Sequence, residues 1–165
     1  MKEILSHLIE SLREELKEYG EMLALLDQQQ QMVMHRQTQD LLQNVADVNG
    51  QAETIHAARR EREQHQRHIA RRLNLAEEAG FAEVIPLLPA DYRPLVQALV
   101  DENNELLVRV QQRARQNHIL LSRAVELMQR FISTLLPGAA PTTYNGTGRT
   151  LGAGLPQHSL YEAIG

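Results

Sequence analysis

Apolar residues recur at steps of three and four along most of this chain. Leu5, Leu8, Leu12, Leu16, Tyr19, Leu23 and Leu26 fall on one stripe, which predicts a helix over residues 2–34. Gly20 interrupts it at a cost of about 1 kcal/mol relative to Ala, and the phase continues past it. The run Gln28 to Gln31 reads as solvated helix surface. A second pattern starts near Asp40, whose carboxylate is placed to accept orphan amide protons, with Gln43 three residues on as in a capping box. Leu41, Val45, Val48, Ala52 and Ile55 then alternate steps of four and three. The same phase selects Arg59, Arg62 and Gln66 before it returns to Ile69 and Leu73. Because the phase survives Asn49-Gly50, a single helix is expected over 40–79, with Gly80 as a left-handed cap.

Pro86, Pro89 and Pro94 mark residues 81–94 as a connector. A third helix over 92–136 follows, with Asp91 as its cap and Pro94 in a first turn that needs no amide proton. Its stripe is Leu95, Leu99, Leu106, Val110, Leu120, Ala124, Leu127, Phe131 and Leu135. From Pro137 the period is lost, and Gly, Pro, Thr and Ala dominate. Residues 137–165 bury too little to offset their ordering entropy and are expected to be disordered.

Three long helices with short connectors fold back as antiparallel neighbours. The expected fold is therefore all-α: a long antiparallel helical hairpin within a three-helix, coiled-coil-like bundle over residues 1–136, and then the tail. If the second turn centres near Glu83, partners on the second and third helices have numbers summing to about 166. Arg59 and Arg62 would then face Glu102, Asn104 and Glu105, a polar match that could fix register. The first helix is acidic (Glu10, Glu14, Glu15, Glu18, Glu21) and Arg59 to Arg72 basic, which favours the same packing weakly.

Composition narrows the function. Aromatic residues are 4% and tryptophan is absent, which with the abundance of Leu, Gln, Glu, Arg and Ala suits long helices better than an α/β enzyme. A net charge of −4 is unlike the basic domains that bind nucleic acid. No cysteine is present, so thiolate catalysis and zinc–thiolate sites are excluded, and a reducing, cytoplasmic setting is expected. The start turns polar too soon for a signal peptide, and no apolar run nears the ~20 residues that cross a bilayer, so no stable membrane insertion is expected.

Catalytic motifs are missing from the sequence. Glu53-x-x-His56 has the spacing of a di-iron ligand pair on a helix, but the second pair that such a bundle needs does not occur. His65 and His68 sit among arginines, which repel a cation. No enzyme activity, catalytic residue, metal or cofactor is expected.

The end of the third helix, by contrast, is too apolar for one seam. Leu121, Val125, Met128 and Ile132 form a second row displaced by about 100° around the helix. Folding would bring Met22, Met32 and Met34 beside Met128, and methionine-rich surfaces accept amphipathic helices. The row has two readings: ordinary core against the first helix, or a groove for a partner.

Three stretches then stand in a familiar order. Leu99-Val100-Asp101-Glu102-Asn103-Asn104-Glu105-Leu106-Leu107 carries leucines and asparagines within the third helix, Phe131 to Leu136 closes it, and Thr143-Tyr144-Asn145-Gly146-Thr147-Gly148-Arg149 follows in the tail. In these the chain resembles the FlgN family of flagellar type III export chaperones over nearly its whole length. The resemblance implies a cytosolic chaperone that binds helical segments of hook–filament junction proteins and delivers them to the export gate. It also makes Tyr144 a candidate for docking to the export apparatus. Beyond Arg149, Ser159-Leu160-Tyr161-Glu162-Ala163-Ile164 departs from the family pattern, as a second docking peptide or a segment that folds back over the groove. The competing reading is a structural coiled-coil adaptor in which the apolar row joins copies into a homo-oligomer.

Overall fold

A computed structural model describes residues 2–135. Four helices follow one another: α1 (Lys2–Met34), α2 (Thr38–Arg72), a single turn α3 (Phe81–Val84) that runs into a 3-10 turn at Ile85–Leu87, and α4 (Arg93–Leu135). The fold is all-α, and its long helices pack together as the heptad pattern requires.

Both turns at the ends of α2 differ from expectation. Thr38 begins the helix, Gln37 precedes it without a side-chain cap, and Asp40 lies within the first turn, where its charge suits the helix dipole but caps nothing. At the other end α2 stops at Arg72, seven residues before Ala79. Asn74 takes the left-handed conformation there (φ 56°), and Leu75 N–H donates to Ala70 O at 2.9 Å. That six-residue closure is a Schellman motif built on asparagine. Gly80 is extended (φ −73°, ψ 167°) and instead starts α3, with Glu83 reaching back to its amide. Arg36 plays the same part at the end of α1, with φ 57° and Gln37 N–H donating to Met32 O at 3.0 Å. Neither motif contains glycine, so neither carries the usual sequence signal.

The helix order in space also differs. α1 lies at the centre, packed on α2 along one side and on α4 along another, while α2 and α4 barely meet. α1 and α2 run antiparallel. α1 and α4 run parallel, because Asn103 bonds Leu12 O and Asn117 bonds Leu26 O, each pair 91 residues apart. Along α4 the seam is therefore Val96, Asn103, Val110 and Asn117, a strict heptad of buried residues, whereas Leu95 is exposed.

Four side-chain amides grip the α1 backbone. Gln51 and Asn44 of α2 donate to Glu18 O and Leu25 O, and Asn103 and Asn117 of α4 to Leu12 O and Leu26 O, all within 3.0 Å. The Oδ1 atoms of Asn44, Asn103 and Asn117 are left buried without a partner. Such orphan oxygens cost stability, while the four amide N–H bonds favour one axial position of α1. Glu18, also buried, is pushed up by desolvation, but hydrogen bonds from Gln51 and Lys17 outweigh this and hold its carboxyl below the ordinary range.

The core has two parts. One joins the first half of α1 to Ile69, Ala70, Val84, Ile85, Leu88 and Val96. The other joins Tyr19, Met22 and Leu26 to Val48, Ala52, Ile55 and Val110. Between them lies a polar layer.

Candidate functional site

Two places merit attention, and the polar layer is the first. Glu15 of α1 is buried and accepts a hydrogen bond from Arg62 Nε at 2.9 Å and another from the Tyr19 hydroxyl at 2.9 Å. Arg59 donates to the Tyr19 oxygen at 3.0 Å, and its Nε lies 3.7 Å from Glu15. Arg62 also donates to Gln66, which holds Ala79 O, and its guanidinium lies over the Phe81 ring at 5.7 Å. Burial, followed by the Glu15 charge, pushes the Tyr19 phenol up to about 12. Nearby, His65 stacks on His7 of α1 with ring centroids 5.7 Å apart.

This corrects the pairing expected across the α2–α4 seam. Arg59, Arg62 and Asn104 do line one cleft of about 490 Å³, so the register was legible. The guanidiniums nevertheless turn to α1, because Glu15 is a buried carboxylate that needs them, while Glu102 and Glu105 are exposed. Glu15 and Asp101 both line the cleft beside the two arginines, and it is Glu15 that pairs with both of them. Of the helical Glu–His pair, Glu53 is exposed and His56 half-buried, and among the described residues no three His, Asp or Glu side chains gather around a possible metal position.

The second place is the end of α4. The parallel register with an offset of 91 puts Met34, the last residue of α1, level with about residue 125 of α4. α4 continues past that point. From Ser122 to Thr134 every residue is exposed: Val125 by 39%, Leu127 by 65%, Met128 by 63%, Phe131 by 64% and Ile132 by 52%. Leu121, four residues before that level, is half-buried. Met34 and Leu42 are exposed where α1 turns into α2. These side chains form a contiguous exposed apolar surface, which makes the end of α4 the candidate contact surface of the described residues.

Three of the four row residues named from the sequence thus lie open together on one flank. Leu127 and Phe131 were assigned to the seam, and both are exposed as well, so the apolar face is broader than one row. Their exposure follows from the length of α1, 33 residues against 43 in α4, once the two helices start level. The methionine cluster does not form as expected. Met22 is fully buried among Tyr19, Val48 and Val110 in the middle of the bundle. Tyr144 lies outside the described residues, as does the segment after Arg149. Among the described residues no helix is long and apolar enough to cross a membrane.

A family model described as FlgN protein matches residues 1–152, which spans every described element and part of the sequence beyond. No curated protein matches the chain, and no solved structure does.

Proposed function

From the premise that this chain belongs to the FlgN family, a family of flagellar export chaperones, we propose that it holds helical segments of hook–filament junction proteins on the overhanging end of α4. One observation carries the reading: Val125, Met128 and Ile132 stand open on a helix that has outrun its neighbours. An amphipathic client helix laid along this flank would bury those side chains and its own apolar face, the helix-in-groove mode of recognition. The lower bundle, with its buried ion pairs, acts as a rigid handle. The client is thereby kept from premature assembly in the cytoplasm. In this reading Tyr144, about nine residues past α4 in the sequence, engages the export gate while α4 carries the client. No reaction is performed, so the work is binding and release.

The test is direct. Val125→Asp and Met128→Asp should each abolish co-purification of a junction protein from a flagellated host, with far-UV circular dichroism unchanged. A folded variant that still captures the client moves the site elsewhere. Sedimentation of the purified protein should give a monomer. A concentration-dependent oligomer would assign the same flank to copies of this chain.

A further inference from the structure

The overhang of α4 has a candidate occupant in the chain itself. We propose that residues 159–164 dock on the exposed flank of α4 when no client is present, and so compete with the client for it. This rests on the reading of the flank as the client site.

Four observations point to it. Ser159-Leu160-Tyr161-Glu162 has the spacing of a capping box, in which the serine and glutamate satisfy orphan amides at a helix start. On a helix the spacing of Leu160, Tyr161 and Ile164 would put them on one face, the chemistry that the flank accepts. Charge agrees: Arg123 and Arg130 against Glu126 leave the overhang with an excess positive charge, and the segment carries Glu162. Reach is sufficient too. The linker 136–158 has 23 residues rich in Gly, Pro and Thr. By the statistics of Gly-rich chains that length corresponds to an end-to-end distance of roughly 26 Å, against roughly 17 Å from Leu121 to Ile132. Tethering at this range gives an effective concentration near millimolar.

A weak contact at that effective concentration predicts a few-fold effect. Hydrogen exchange at residues 122–134 of the full chain, without client, is compared with that of the double variant Leu160→Asp/Ile164→Asp and of a chain ending at residue 152. Exchange should quicken several-fold in both, with helicity unchanged. Equal exchange in all three proteins overturns the proposal, and so does protection that grows with protein concentration, which would make the occupant a neighbour's segment. Client affinity, measured on the same proteins, should tighten a few-fold without the segment. Quicker exchange with unaltered client affinity would retain the docking and sink the competition, moving the client site off this flank.

Discussion

Two stretches of α4 are equally helical and meet opposite fates. From Val96 to Asn117 every seventh residue is sealed against α1, although two of those four residues are asparagines. From Ser122 to Thr134 nothing is sealed, although Val125, Leu127, Met128, Phe131 and Ile132 are among the most apolar residues of the helix. Local hydrophobicity alone would rank the two the other way. The presence of α1 alongside decides burial. Where α1 is present even amides are accommodated, each donating to a backbone carbonyl. Where it has ended, the apolar face remains on offer.

That contrast can be broken at several points. The largest effect should come from Glu15→Ala, which strands Arg59 and Arg62 in the polar layer. Breaking such a buried pair costs about 3–5 kcal/mol, read as a fall in the urea midpoint. Next, Leu26→Ala in the core should cost about 2–5 kcal/mol, while Leu127→Ala on the overhang should stay within about 0.5 kcal/mol. Similar losses from the two leucines would erase the distinction between the regions. Alkaline titration followed by tyrosinate absorbance gives a third measure. Tyr19 should ionise last, near pH 12, against about 10 in the unfolded chain. Its folded value is raised, so the stability it contributes is complete below about pH 10 and is lost as pH rises through 12. Tyr19→Phe should remove the late step. A smaller change in stability than from Glu15→Ala or Leu26→Ala is expected from Asn117→Val, within about 1 kcal/mol of wild type and of either sign. The orphan Oδ1 disappears together with a register bond. Its signature is faster hydrogen exchange in α1 near Leu26, and unchanged exchange there would show that the amide does not hold the register.

Much of this architecture was legible. The stripe from Leu5 to Leu26 is the α1 core, and the phase across Asn49-Gly50 does belong to one helix. Helix ends were read less well where Arg36 and Asn74 do the work of glycine, since a left-handed asparagine or arginine leaves no mark in the sequence. Asn103 and Asn117 could not be assigned to the seam either. An asparagine on a helix looks solvated until a neighbouring carbonyl is found within reach. The flank was visible as surplus hydrophobicity from Leu121 to Ile132, but its breadth was not, because Leu127 and Phe131 keep the same heptad phase whether or not a neighbour covers them.

The sequence determined which residues make helices, since periodicity and breakers act within a few residues of one another. It also determined that the third long helix carries more apolar surface than one seam needs. Only the tertiary structure decided that α1 is the central helix, that Glu15 takes both arginines, and that α4 outruns its support. These depend on which helices lie side by side and at what height, quantities set by contacts up to 91 residues apart along the chain.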